Sequence, residues 1–360
     1  MKLSDLFSAK SIAAQYTEVA SNKIPYLGTA FFPAKKKLGL DLKWIKGNKG
    51  LPVSLAPSNF DAKSTLRGRV GIETESTQMA FFRESMLVKE EDEQEIMRVQ
   101  EANDPYAQQV IEHIYNDANT LLEGADVVPE RMRMQLLAPT ADGSPRIVIS
   151  SKGVQYSYNY DPDGSYQTNN YMAISSETAV WSAIATADPM NDVATACDSV
   201  ESRTGTRPSI MIVSRATMNY LKQNAKIKSA ILAQNATANI FMTDARVKEI
   251  FENELGVQII VYTKKYKNEA GTEAAFYPDG YATLLPEGAL GSTWYGTTPE
   301  ERTLMGKPIA NVSVVNTGVA IAVSVTEDPV NTKTTVSEIV LPSYERMNET
   351  YVIKAYTPAG

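Results

Sequence analysis

The sequence predicts an α+β fold in which an extended hairpin arm and a long helix form one part and an α/β part is inserted into it. Three observations carry this. A basic stretch from Lys35 to Arg69 is punctuated by Gly and Pro and flanked by segments of period-two character. A helical pattern then runs up to Ala138. From about Glu177 the pattern alternates between helix and strand.

The totals bound the function. The chain has 360 residues, 43% hydrophobic and 21% charged, which suits a globular protein with a real core. Its formal net charge of -7 argues against a whole-chain nucleic-acid binder. The single cysteine, Cys197, sits among alanines and reads as a core residue; it excludes an intrachain disulfide and a multi-cysteine metal site. The single histidine, His113, falls mid-helix beside Glu112, so neither a zinc cluster nor a catalytic Ser/Cys–His pair is expected. No apolar run approaches the roughly 20 residues of a membrane span. Met1 to Ile12 lacks the apolar core of a signal peptide, so synthesis in a cytoplasm without secretion is expected.

Residues 1–30 predict a short amphipathic helix through Leu3, Leu6, Phe7 and Ile12, broken at Ile24-Pro25-Tyr26-Leu27-Gly28. It carries too little apolar surface to fold alone and must lie along the subunit or a neighbour. Residues 38–47 alternate, with Leu38, Leu40, Leu42, Trp44 and Lys46 on one side of a strand. Asn48 to Pro57 is irregular, and Arg69 to Phe81 is a second strand. A connection this long without structure is usually functional or mobile. Residues 91–138 are helical. Asp104-Pro105 is the start signal, Val110, Ile111, Ile114, Ala118, Leu121 and Leu122 form the apolar stripe, and Gly124 interrupts before Pro129 restarts a turn.

Arg146–Ser151 and Val154–Tyr160 flank Lys152-Gly153 as a hairpin, and Asp161-Pro162-Asp163-Gly164 is a turn without the acidic spacing of a calcium loop. Glu177–Ala187 and Pro189–Thr204 read as helices. Ser209–Val213, Val257–Tyr262 and Gly280–Leu285 read as buried strands. Ser214 caps a helix over Arg215–Gln223, and Thr243 or Asp244 caps another that Gly256 closes. Asn311–Val325 is β-prone and is placed with this α/β part, roughly 180–325. After a return at Glu327-Asp328-Pro329, Thr334–Val340 and Tyr351–Tyr356 are expected to rejoin the helix part.

The charge is uneven. From Lys35 to Arg69 nine basic residues face two acidic ones, a net +7 that leaves -14 elsewhere. An arm that complements its own body points to self-association, since unlike patches steer docking. The residues expected at contacts between subunits are Lys43, Trp44, Lys46, Lys49, Lys63, Arg67 and Arg69 on the arm. Their acidic counterparts are Glu90, Glu91, Asp92 and Glu93. No nucleotide-binding glycine loop, HExxH, paired CxxC or Gly-x-Ser-x-Gly occurs, so no catalytic, cofactor or metal residue is assigned. Tyr156, Tyr158 and Tyr160 share one strand face, read as half-buried with hydroxyls at the rim. Met132 and Met134 read as packing residues.

The order of short motifs carries a resemblance. Phe31-Phe32-Pro33 leads into the basic hairpin. Arg67-Gly68-Arg69 and Met79-Ala80-Phe81-Phe82-Arg83-Glu84 follow. Phe276-Tyr277-Pro278-Asp279-Gly280, Leu284-Leu285-Pro286, Gly291 to Gly296 and Leu341-Pro342-Ser343 come near the other end. This order, over most of residues 25–356, resembles the lambda-type (protein E) family of tailed-phage major capsid proteins, which have the Hong Kong 97-like fold. The resemblance implies an N-terminal arm (1–36), an extended β-hairpin E-loop (37–88), a P-domain with a long spine helix (89–180 and 326–360) and an inserted A-domain (181–325). It implies self-assembly into hexamers and pentamers of an icosahedral phage head around packaged double-stranded DNA, bound without sequence specificity. It also implies a virion location after synthesis in the host bacterial cytoplasm, and a portal and a decoration protein as partners. The short lead-in before the arm implies a separate scaffolding protein. Some relatives cross-link a loop lysine to a neighbouring asparagine; no local pattern selects among Lys46, Lys49 and Lys63, so the cross-link is not carried over. Two alternatives stay open: an encapsulin-type nanocompartment shell, and an α/β enzyme with the basic hairpin as a lid.

Overall fold

The computed structural model describes residues 8–20, 25–46, 73–88, 90, 94, 105–140, 142–151, 153–233, 242–306, 311–327 and 330–358. The chain enters through helix α1 (Ala9–Ala20), a single turn α2 (Gly28–Phe31) and strand β1 (Ala34–Lys36). Strands β2 (Asp41–Lys46) and β3 (Glu73–Gln78) form a two-stranded ladder, and β4 (Ala80–Val88) follows Met79. Helix α3 (Pro105–Leu137) is 33 residues long. The hairpin β5 (Arg146–Ser151) and β6 (Val154–Asn159), helix α4 (Ser165–Asn169) and β7 (Tyr171–Ala173) come next. An alternating section holds α5 (Pro189–Thr204), β8 (Ile210–Val213), α6 (Arg215–Gln223), α7 (Ala225–Ala233), α8 (Asp244–Leu255) and β9 (Gln258–Val261). The chain continues through a small hairpin, β10 (Lys265–Lys267) and β11 (Glu273–Ala275), then β12 (Tyr281–Leu285), β13 (Ser292–Tyr295) and α9 (Pro299–Gly306). It closes with β14 (Val312–Val315), β15 (Val319–Glu327), β16 (Val330–Ser343) and β17 (Tyr351–Lys354).

The chain divides into two compact units. The first comprises Met1–Lys43, Ser76–Met132 and Ser292–Ser343; the second comprises Trp44–Glu75, Arg133–Gly291 and Tyr344–Gly360. In the first unit, a sheet runs β1-β13-β16-β15-β14, with β4 also paired to β16. The long strand β16 organises it: β15 pairs from Glu327↔Val330 to Val319↔Glu338, and β4 pairs from Val88↔Thr332 to Ala80↔Val340. One face carries Val315, Val319, Ile321 and Val336, and it packs with Leu121, Leu122 and Ala125 of α3 and with Ala9, Ile12, Ala13 and Tyr16 of α1. Those α1 positions fall at i, i+3, i+4 and i+7, one helical face. The N-terminal helix therefore lies along its own subunit.

In the second unit, the sheet order is β7-β17-β12-β8-β9. Strand β12 is buried at all five positions and runs antiparallel to β8 and β17, while β8–β9 and β17–β7 are parallel. A strand covered on both faces favours a continuous apolar run such as β8, and in β12 the buried Thr283 hydroxyl is satisfied by donating to Leu137 O at 2.6 Å. The core around it includes Trp181, Cys197, Met211, Leu221, Phe251, Leu284 and Ile353. Cap chemistry sets the helix ends. Ser214 accepts from the Thr217 amide, Thr243 from the Arg246 amide, and Gly205 and Gly256 close α5 and α8 in the left-handed region.

Four readings are corrected by the structure. Glu177–Ala187 forms successive turns instead of a helix, because Trp181 is drawn into the core. Its indole N–H reaches Asp192 at 2.9 Å and its backbone N–H bonds Ala355 O at 3.0 Å. Helix α3 runs unbroken through Gly124 and Pro129. Those residues cost roughly 1 and 3 kcal/mol of helix propensity, and the burial of Leu122, Met132, Met134, Leu136 and Leu137 outweighs it. Asn311–Val325 pairs into the first unit's sheet with β16 and is not part of the α/β sheet. Conversely, β17 lies inside the α/β sheet beside β12, where the Ala355 amide donates to Gly280 O at 2.7 Å. Both differences are strand pairings across long sequence separations, which local periodicity does not encode.

Candidate assembly surface

The chain passes out of the first unit after Lys43 and is part of it again from Ser76. The arm's outgoing root is anchored by the Phe-Phe-Pro motif: Phe31 and Phe32 are buried. The Thr293 hydroxyl donates to Phe32 O at 2.9 Å, and the Thr293 amide to Pro33 O at 2.9 Å. This seats β1 parallel to β13, with Lys36 opposite Tyr295. Lys35 lies over the Trp294 ring at 5.4 Å, a cation–π contact. Lys36 Nζ pairs with Glu301 at 2.6 Å and donates to Gly296 O at 3.0 Å.

Leu38 and Leu40, expected on the strand face with Leu42, lie in a bend before β2 and are 74% and 48% exposed, whereas Leu42 is buried. Gly39, at φ +88, takes a conformation that breaks an extended run. On the returning side Met79 and Ala80 are buried, and Arg83 pairs with Glu300 at 2.5 Å while lying 5.0 Å from the Phe81 ring. Beyond Arg83 the strand opens to solvent, with Leu87 54% exposed.

The base on which this root sits is pinned to α3. Tyr16 of α1 donates a short hydrogen bond to Asp126, and Asn316 in the β14–β15 turn donates to the same carboxylate at 3.0 Å. Burial, with Asp126 alongside, pushes the Tyr16 phenol well above its usual range. Buried Glu130 accepts from the Gly28 amide at 3.0 Å.

Of the residues expected at contacts, Lys43, Trp44 and Lys46 lie on β2, with Lys43 exposed. Glu90 is exposed. Lys49, Lys63, Arg67, Arg69, Glu91, Asp92 and Glu93 lie outside the described residues. The sequence reading missed Lys36, Arg83, Glu300 and Glu301 as a group. The available signal was Thr298-Pro299-Glu300-Glu301, a capping residue, proline and an acidic first turn, which marks the start of α9.

Elsewhere, a cleft of about 470 Å³ in the second unit is lined by Ala173, Glu177, Val180, Lys354, Tyr356 and Thr357. Its lining offers one carboxylate, one ammonium and the hydroxyls of Ser175 and Ser182. Among the described residues no group of three or more His, Cys, Asp or Glu could hold a metal ion. Among them, no helix is long and apolar enough to cross a membrane.

The family model for phage major capsid protein E matches residues 8–355. Two solved structures share the fold. One is a phage-related protein from Bordetella bronchiseptica RB50, 14% identical, covering 95% of this chain and 96% of that one at a TM-score of 0.57. The other is the putative capsid protein of a prophage of E. coli CFT073, 14% identical, covering 97% and 99% at a TM-score of 0.57. No curated protein sequence matches significantly.

Proposed function

Because the chain belongs to the phage major capsid protein E family, we propose that its arm is the element by which copies of it lock into the shell. The protein is a structural capsid protein of the virion, with the Hong Kong 97-like fold. The observation that carries this is the family match over residues 8–355. The finer reading is assembly as hexamers and pentamers of an icosahedral head that encloses double-stranded DNA. It includes a separate scaffolding protein, a portal and a decoration protein as partners, and synthesis in the host cytoplasm. The role needs no enzymatic chemistry and no cofactor. The nanocompartment and enzyme alternatives gain no comparable observation.

In this reading the sheet around β16, with α3 as spine, is the P-domain, and the sheet around β12 is the A-domain. Residues 292–325 then belong with the P-domain, because they share its sheet. Residues 37–88 are the E-loop. Lys43, Trp44, Lys46, Lys49, Lys63, Arg67 and Arg69 meet an acidic surface of a neighbour that includes Glu90, Glu91, Asp92 and Glu93. The net charge of +7 from Lys35 to Arg69 against -14 elsewhere supports that pairing. Weak contacts of this kind add by multivalency in a closed shell.

Deletion of Gly47 to Arg67 tests the reading. The expected product is a soluble, folded subunit that forms no shells by electron microscopy. Shells of normal size and number from that variant refute it.

A further inference from the structure

We propose that the segment Gly296–Glu301 is a clasp that holds both ends of the arm, Lys36 and Met79 with the strands that carry them, to one point of the first unit. The inference rests on the assembly reading above. The arm's two ends, Lys36 and Met79, are far apart in sequence, yet both meet this short segment. On the outgoing side the Lys37 amide donates to Tyr295 O at 2.8 Å. Lys36 Nζ reaches Gly296 O at 3.0 Å and Glu301 Oε2 at 2.6 Å. On the returning side Arg83 pairs with Glu300 at 2.5 Å, and Ser337 of β16 donates to the same carboxylate at 2.6 Å. The neck is closed where the Met79 amide donates to Leu40 O at 2.9 Å.

Gly296 lies between the two ends and leaves no room for a side chain. A Cβ there would sit 2.7 Å from Ile339 Cγ2, 2.8 Å from Gly39 O and 2.9 Å from Met79 Cε. One of those neighbours belongs to the outgoing end, one to the returning end and one to the sheet beneath. The clasp is thus a steric seat flanked by two ionic contacts.

The charges link the two ends. The Glu300 and Glu301 side chains are only 13% and 12% exposed. Carboxylates so far removed from water need a partner, and each takes its cation from a different end of the arm. They occupy the first turn of α9, where the helix dipole favours negative charge and Thr298 caps the Glu301 amide at 3.2 Å. The anions are therefore fixed, and the strands are what they hold. Release of either cation leaves a carboxylate that is mostly withdrawn from water without its counter-charge, beside a second carboxylate in the same helical turn, so each contact is costly to break.

Hydrogen exchange of the full-length free subunit, read by mass spectrometry, tests this. In E300Q/E301Q, amides of Ala34–Lys36 and Ala80–Val88 are expected to exchange about tenfold faster, with Tyr281–Leu285 unchanged. G296A, which keeps every charge, is expected to accelerate the same two segments. The swap R83E/E300R is expected to keep Ala80–Val88 at the parent rate. Unchanged exchange at both segments overturns the proposal, and so does acceleration of one end alone or an equal rise at Tyr281–Leu285. If deletion of Gly47 to Arg67 abolishes shells while E300Q/E301Q exchanges like the parent, the clasp is wrong and the assembly reading stands. If the deletion still forms shells while both arm ends exchange faster, the assembly reading is wrong and the clasp remains.

Discussion

At Gly280 the backbone has φ +83, and a Cβ there would lie 2.3 Å from Tyr356 O. Gly153 has nearly the same torsion, φ +81, but nothing within 4 Å of the added atom. The pair separates torsional strain from steric exclusion. Gly153→Ala is expected to cost about 1 kcal/mol, the left-handed penalty alone. Gly280→Ala is expected to cost roughly 3 kcal/mol or more, because the Tyr356 carbonyl must also move. Urea unfolding of the two variants against the parent measures both, and equal losses would contradict the steric argument. Cys197 was legible as a core residue from its alanine neighbours, and it is buried; burial also pushes its thiol up to about 11. Arg83 was quoted within a motif, yet its ion pair was not readable, because Glu300 lies more than two hundred positions away in the chain.

Among the elements, α4 shows how a short helix is made from a turn. Asp161 is buried and accepts from the Tyr166 amide at 2.8 Å, the Gln167 amide at 3.0 Å and the Ser144 hydroxyl at 3.2 Å. The carboxylate that superficially suggested a calcium loop is spent on orphan backbone amides. Asp161→Ala is expected to lose roughly 2–4 kcal/mol, since it removes the cap and leaves buried donors unpaired. Asp161→Asn should retain part of that through its remaining carbonyl oxygen. Thermal or urea unfolding ranks the three proteins, and an alanine variant as stable as the asparagine one would refute the capping role. The helix start at Ser214 and the stop at Gly256 were read correctly from the sequence, and of the two caps read for the later helix, Thr243 or Asp244, Thr243 is the one that forms, because caps are local chemistry. The break assigned at Gly124 and Pro129 was wrong, because packing on the helix overrides its propensity.

Across the whole molecule, the 18 tyrosines outnumber the 9 phenylalanines, and many phenols are removed from water. Burial raises Tyr26, Tyr158 and Tyr281 to about 12. Tyr166, Tyr277 and Tyr344, whose hydroxyls bond Thr350 or Thr283 in the core, are pushed higher still. The unfolded chain releases these protons near pH 10. The folded chain retains them, so this contribution is complete below about pH 10 and is lost as pH rises toward the folded values. The melting temperature is therefore expected to hold level to about pH 9 and fall steeply above about pH 10, with tyrosinate absorbance appearing together with unfolding. Tyrosinate that forms fully before any loss of circular dichroism would refute this. The α+β class, the long helix and the cap positions were determined by the sequence alone, since periodicity and turn chemistry act between near neighbours. The tertiary structure decided which sheet receives β14, β15 and β17, that α3 does not break, and that Lys36 and Arg83 converge on one turn of α9. Those outcomes depend on contacts between distant segments, whose free energy is gained only after the chain has closed the loops between them.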